Sequence, residues 1–270
     1  MTRVAEALAI SRPHLVASVK GVAASDAKPE REGDSALLER IRVVARERPT
    51  NGYRRVCARL NRKTPNSRVN HKRIYRLMRG ANLLLAKHGI LPERPHEGKV
   101  ITLKSDVRWC SDGFEIRCWN GEKVHVVFSL DCCDREAIAW VARDTPTDGG
   151  DVRDLMAQTI EARFGATSVP RPLEWLSDNG PPYTAKETRA FGKRAGLLVR
   201  NTPSYSPESN GMAEAFVKTF KRDYVYLASL KNASSVLDQL PAWFLDYNEQ
   251  HPHKGLKMLS PRQFRKSQTV

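Results

Sequence analysis

Apolar residues follow two different rules along this chain. Between residues 35 and 90 they recur at helical spacing, with Leu37, Leu38, Ile41, Val44 and Ala45 on the i, i+3, i+4 pattern. Pro49-Thr-Asn-Gly52 breaks that helix. Tyr53–Leu60 predicts a second short helix, stopping near Thr64-Pro65. Asn70 is placed to cap a third through about Arg79, with Gly80 behind it. At about 100° per residue, Lys72, Arg76 and Arg79 lie within about 60° of one another on this third helix. Ile74, Leu77, Met78 and Ala81 lie on the opposite side, so one face is apolar and the other is a row of cations. Upstream, Val4–Leu15 reads either as part of a helix-turn-helix or as a short separate helix. Residues 20–34 lack periodicity and read as a linker or loop.

Beyond residue 105 the period changes. Arg108–Arg117, Lys123–Asp131 and Ala137–Ala142 read as three strands, the first two joined by an Asn120-Gly121 hairpin turn. Then follow a helix over Gly149–Phe164, a short buried strand over Leu173–Ser177, a helix over Thr184–Gly196 and a last strand over Leu197–Arg200. A long helix over Ser206–Tyr226 has Ser206 as N-cap and Pro207 in the first helical position. Pro241 interrupts a final helical pattern over Leu237–Glu249 and predicts a kink or an earlier break. The order β-β-β-α-β-α-β-α describes an α/β layer with three antiparallel strands leading in. The expected organisation is a short N-terminal segment over 1–34, a small all-α helix-turn-helix-like domain over 35–90, a linker over 91–105 and an α/β domain over 106–270.

Charge gives these two parts different partners. The chain of 270 residues has a net charge of +15. Residues 1–105 hold 23 basic and 9 acidic side chains, whereas residues 106–270 hold 22 and 21. From Arg40 to Lys87 there are 15 basic residues and one acid, Glu47. Such density on a trihelical unit suits DNA phosphates and points to Arg54, Arg55, Lys72, Arg73, Arg76 and Arg79 as contacts. The longest apolar run, Ala137–Ala142, is six residues, far short of the roughly 20 that a bilayer span needs. With Glu6 near the start and no apolar core behind it, no secretory leader is expected. The five cysteines form no CxxC pair and read as reduced core residues. His251-Pro-His253, the one close His pair, reads as a turn with one packed ring.

In the second half, three carboxylates stand out by position. Asp112 lies within the first strand, Asp178 ends the fourth in a Ser-Asp-Asn-Gly turn, and Glu214 sits on the helix after Ser206. If strands one and four are parallel neighbours, Asp112 and Asp178 meet, and a helix crossing that edge can aim Glu214 at the same point. Carboxylates gathered this way repel unless a cation joins them, and divalent-metal phosphoryl transfer is the chemistry that needs them. Lys218 and Lys221, at i+4 and i+7 from Glu214, share its face and read either as contacts to a DNA backbone or as surface salt bridges. Of the neighbouring acids, Asp131 and Asp134 flank a turn, Asp106 is expected to be solvated, Glu208 suits a first helical turn, and Asp223 lies off the Glu214 face.

Spacing adds a resemblance. There are 65 residues between Asp112 and Asp178 and 35 between Asp178 and Glu214. WCSDGFEI, LSDNGPPYTA and SPESNGMAEAFVKTFKRDY resemble the integrase-core transposases of bacterial insertion sequences, in particular their second-frame (OrfB) product. PTNGYRRVCARL, NHKRIYRLMRGANLL and YNEQHPHKGLKMLSPRQF resemble that family's terminal signatures, and the likeness covers roughly residues 40–265. It implies a ribonuclease H-like mixed sheet with flanking helices and a triad of Asp112, Asp178 and Glu214. It also implies Mg²⁺- or Mn²⁺-dependent strand cleavage and 3′-end joining, with Lys218 and Lys221 touching DNA. Asn179, Gly180 and Asn210 would be turn and cap residues, and Gly211 would permit close helix packing. The implied partners are DNA at the element's terminal inverted repeats, target DNA, further copies of the chain, and a first-frame (OrfA) product or fusion. No membrane is involved, and the location implied is the cytoplasm, on the nucleoid. A ribonuclease H-like nuclease or resolvase, and a non-catalytic DNA-binding regulator, are the alternatives.

Overall fold

The computed structural model describes residues 31–64, 67–86, 102–202 and 211–268. The expected helix at Val4–Leu15, the caps at Ser206 and Asn210, and Glu208 lie outside these residues. Three helices come first: α1 (Asp34–Glu47), α2 (Tyr53–Lys63) and α3 (His71–Gly80). Leu37, Ile41, Val44, Val56, Leu60, Ile74 and Met78 close into one apolar core, as their helical spacing requires. The Asn70 side chain accepts from the Lys72 backbone N–H at 2.8 Å and caps α3. Asp34, expected to end a linker, instead opens α1 and is buried between the guanidinium groups of Arg73 and Arg76.

The α/β part follows: β1 (Arg108–Arg117), β2 (Lys123–Asp131), β3 (Ala137–Arg143), α4 (Gly149–Phe164), β4 (Leu173–Ser177), α5 (Pro181–Thr184), α6 (Lys186–Arg194), β5 (Leu197–Asn201), α7 (Gly211–Asp223), α8 (Ala233–Gln250) and α9 (Pro261–Gln268). Among the described residues the strands form one sheet in the order β3-β2-β1-β4-β5. The first three run antiparallel, and β4 and β5 are parallel to β1. The helix expected over Thr184–Gly196 is α6, which begins at Lys186, and the short helix α5 precedes it, parted from it at Ala185. Pro241 breaks nothing, and α8 runs through it. Pro241 is exposed, so its ring lies on the outer side of the helix.

Alternation along the strands assigns the two faces. Cys110, Phe114 and Ile116 of β1 pack with Phe216, Phe220 and Phe244 of α7 and α8. Trp109 of β1 and Trp175 of β4 pack on the opposite face with Leu155 and Ile160 of α4. Phe128 and Phe216 meet at 4.4 Å between ring centroids and Phe220 and Phe244 at 4.6 Å, which clamps α7 across β1 and β2.

Several acids are buried where turns and solvent were expected. Asp106 is ion-paired with Arg163 at 3.3 Å and Arg265 at 3.2 Å and accepts the Trp109 indole N–H at 3.2 Å. It joins Asp131, Asp134 and Glu136 around the buried guanidinium of Arg163. Burial, with the charge of Asp134, raises the Asp131 carboxyl to about 7. These acids form a structural knot joining β1, the β2–β3 turn, α4 and α9. All five cysteines are free thiols, and Cys132 and Cys133 lie in that turn. Both rings of His251 and His253 are buried, not one, and pack on Tyr247 at 5.6 and 5.1 Å.

The helical unit is bound to the α7–α8 layer by arginines of its own. Arg55 pairs with Asp223 at 3.1 Å and Arg48 with Asp246 at 2.7 Å. Arg62 donates to the backbone oxygens of Gln250 at 2.8 Å and Met258 at 3.2 Å.

Candidate active site

The parallel ladder between β1 and β4 pairs Arg108 with Glu174, Trp109 with Trp175 and Cys110 with Leu176. Two residues further along each chain stand Asp112 and Asp178, at one level of the sheet. Both continue the face of Cys110 and Leu176, which is the face that α7 covers. Glu214 lies in the first described turn of α7, the helix that covers this face.

Electrostatics show that the three feel one another. Burial raises the Asp112 carboxyl to about 6, and the charges of Asp178 and Glu214 push in the same direction against the Gly113 N–H, which donates to it at 2.8 Å. The Asp178 carboxylate accepts the Gly180 N–H at 3.0 Å. Glu214 is 46% exposed, with Lys218 Nζ 3.5 Å away. Among the described residues no three His, Cys, Asp or Glu side chains stand close enough to hold a metal ion as placed. The triad faces one region without closing to ligand distance. The donor set nevertheless suits a hard cation, being all oxygen and all anionic, and the raised Asp112 registers excess negative charge that a cation would offset.

Beyond Asn179 and Gly180, sequence reasoning missed Asn201 and Tyr183 near the Asp178 turn. Asn201, at the end of β5, donates to the Asp178 backbone oxygen at 2.7 Å, and its own oxygen accepts from Arg189 at 3.2 Å. Asn179 ties the same turn to the Thr202 oxygen at 2.8 Å. Tyr183, buried behind both aspartates, has its hydroxyl 2.9 Å from Ser111 Oγ. Burial keeps that phenol protonated far above neutrality. The pairing of Ser177 with Asn201 across β4 and β5 brings Asn201 to this turn, and nothing in its local sequence signals it.

Comparison with known proteins decides the family. Residues 103–207 and 195–261 match integrase core domain families, and residues 32–89 match an HTH-like domain family. Transposase InsD for insertion element IS2A/D/F/H/I/K of Escherichia coli is 45% identical over 236 residues, covering 86% of this chain and 78% of its own. Transposase InsD for insertion element IS2-9 of Escherichia coli (strain K12) is also 45% identical, over 86% of this chain and 77% of its own. The chain belongs to the integrase-core transposases of insertion sequences. It is a DDE-type polynucleotidyl transferase of DNA transposition, not a nuclease of another kind or a regulator, and enzymes of this core depend on a divalent metal. Among solved structures, the catalytic core domain of BIV integrase aligns over 61% of this chain and 96% of its own at 19% identity and a TM-score of 0.41. The Mos1 transposase catalytic domain, solved with Raltegravir and Mg, aligns over 60% and 79% at 16% identity and a TM-score of 0.43. No described helix of the transposase is long and apolar enough to cross a membrane.

The HTH-like match implies DNA binding by the helical unit of the transposase. The cations expected to contact DNA divide by environment. Lys72 and Arg79 of α3 and Arg54 of α2 are exposed, and the Arg54 guanidinium lies 5.4 Å from the Tyr53 ring. Arg73 and Arg76 are half-buried on Asp34. Arg55 is turned inward to Asp223, as part of the joint with the α/β part. Lys218 forms its surface pair with Glu214, and Lys221 Nζ stands 5.6 Å from the Phe114 ring. A Cβ on Gly211 would meet nothing within 4 Å, so close packing of α7 does not require that glycine.

Proposed function

We propose that Asp112, Asp178 and Glu214 are the catalytic carboxylates of this transposase and together hold the divalent cation, Mg²⁺ or Mn²⁺. The observation that carries this reading is that Asp112, raised to about 6 chiefly by burial, also feels the charges of Asp178 and Glu214, 66 and 102 positions further along the chain. When bound, such a cation polarises a phosphodiester and activates the oxygen that attacks it. Asp112 supplies a carboxylate whose attraction for positive charge is heightened by its neighbours. Asp178 is oriented by the Gly180 N–H, and its turn is held by Asn201. Glu214 comes from a helix clamped by Phe216 and Phe220. Lys218 and Lys221, on the same helix face, hold the DNA backbone beside the carboxylates, and Lys72, Arg79 and Arg54 hold it on the helical unit.

In the reaction, water attacks the phosphorus at the element end and the P–O3′ bond breaks, freeing a 3′-hydroxyl. That hydroxyl attacks a second phosphodiester and expels its 3′ oxygen, so the number of phosphodiester bonds is conserved. No Ser or Tyr of the protein is bonded to DNA along the way. The transposase is inferred to act at the terminal inverted repeats of its element, self-associated on DNA, with a first-frame product as partner or fusion, in the cytoplasm on the nucleoid.

Incubation of a labelled element end with Mg²⁺ tests the assignment, reading nicked and joined products. Asp112→Asn, Asp178→Asn and Glu214→Gln are each expected to abolish both while DNA binding persists. Activity within a few-fold of the unaltered chain in any one variant removes that residue from the triad.

A further inference from the structure

A cleft of about 290 Å³ lies between α2 and the turn that follows the 3₁₀ segment Lys254–Leu256. Arg54, Arg62 and Arg68 line it with His71 and Lys257, over an apolar floor that includes Met258 and Leu259. No carboxylate is among its lining residues. Arg62 donates to the backbone oxygens of Gln250 and Met258 and feels the charge of Asp246, so it braces the wall of the cleft. His71 opens α3, whose ten residues bring the positive end of a helix dipole to the same wall.

The turn opposite is strained. Lys257 and Met258 are consecutive non-glycine residues in the left-handed region, at φ 53° and 66°. Each such residue costs on the order of 1 kcal/mol or more and persists where its surroundings impose it. Here the Met258 N–H donates to the His253 oxygen at 2.8 Å, the His253 N–H to the Leu259 oxygen at 3.0 Å, and the Leu259 N–H to the Leu256 oxygen at 2.9 Å. The buried rings of His251 and His253 against Tyr247 anchor the base of the turn. A solvated surface lysine needs no such frame. This one holds Lys257, exposed, against a cleft whose other cations belong to the helical unit.

We propose that this cleft seats phosphodiester groups of a DNA backbone, gripped jointly by the helical unit (Arg54, Arg68, His71) and by Lys257 of the C-terminal turn. Exposed Arg54, Arg68 and Lys257 over a small apolar floor suit a phosphate and its sugar. Because the two walls come from opposite ends of the chain, DNA in the cleft also bridges the helical unit to the catalytic part. The inference rests on the DNA-transposition reading but not on the assignment of the three carboxylates. The phosphates can belong to the element end or to target DNA, and the test has an arm for each.

The test uses the full chain in EDTA, so that no strand is cut. Binding of a labelled element-end duplex and of an unrelated duplex is followed by fluorescence anisotropy across a range of salt. Each cation that neutralises a phosphate contributes about 0.9 to the slope of log K against log salt. Lys257→Asn removes the charge and keeps a residue tolerant of the left-handed region. It and Arg68→Gln are each expected to flatten the slope by about 0.9, and the double variant by about 1.8. Lys257→Arg should keep the slope, as should Lys231→Asn, where an exposed lysine lies outside the cleft. A change on the element end alone assigns the seat to that DNA, on both duplexes to any DNA backbone, and on the unrelated duplex alone to target DNA. Unchanged slopes in Lys257→Asn and Arg68→Gln, with unchanged thermal melting, overturn the seat and leave the transposase reading standing. An equal loss in Lys231→Asn shows bulk charge only and also overturns it. Failure of the unaltered chain to bind either duplex overturns both.

Discussion

If Asp112, Asp178 and Glu214 hold a cation, as proposed, the chain should be less stable while the cation is absent, and Asp112 allows the size of that effect to be worked out. Its carboxyl moves from an ordinary 3.8 to about 6 in the folded chain. The folded state therefore keeps a proton that the unfolded state releases, and stability falls as pH rises through the window from about 4 to about 6. Above that window the cost levels off at about 3 kcal/mol. Asp112 keeps some contact with solvent, and screening brings the expected figure to about 1–3 kcal/mol. Asp112→Asn removes the charge and keeps an oxygen for the Gly113 N–H. In EDTA at pH 8 the Asn variant should be more stable by about that amount, a rise of roughly 2–4 °C in Tm for each kcal/mol. At pH 4 the two proteins should melt together. Excess Mg²⁺ should raise the Tm of the unaltered chain and leave the variant nearly unmoved, because only a folded state that binds the ligand is stabilised. Calorimetry over a pH series, with and without Mg²⁺, reads all of this. An Asn variant that melts at or below the unaltered chain at pH 8 in EDTA would refute the claim that like charge is concentrated at this site.

Two further predictions concern the frame around it. Gly192 of α6 sits where a Cβ would lie 2.6 Å from Val199 Cγ2 of β5, so Gly192→Ala should cost about 1–3 kcal/mol through overpacking, and a denaturation midpoint equal to that of the unaltered chain would contradict this close approach. Arg163→Met removes the cation from among Asp106, Asp131, Asp134 and Glu136 and should cost about 3–5 kcal/mol. That loss should be greatest at high pH and shrink as acid neutralises the carboxyls, so a pH-independent loss in urea titrations would count against a charge effect.

Much of this protein is legible in one dimension because its determinants are local. The period of apolar residues locates α1 to α3 and the strands, since a helix or strand can bury only the face that its repeat presents. The Asn70 cap and the Asn120-Gly121 turn follow from short-range backbone chemistry. The placement of Asp112 and Asp178 on the face that α7 covers is legible for a related reason: strand parity decides it, and parity is counted along the chain.

What the sequence could not disclose depends on partners distant in the chain. The surplus of cations in the first part suggests a DNA grip, yet Arg55 and Arg48 are spent on Asp223 and Asp246, and Arg62 on backbone oxygens of the C-terminal region. A net charge says nothing of which charges are already paired. Asp106 looked solvated because the buried arginine that compensates it, Arg163, lies on α4. Asn201 reaches the Asp178 turn only because β5 pairs with β4. Local sequence determined which elements form and which faces carry carboxylates. The tertiary structure decided which charges are left for DNA, because a charge's role depends on the dielectric and the counter-charge around it, and folding supplies both.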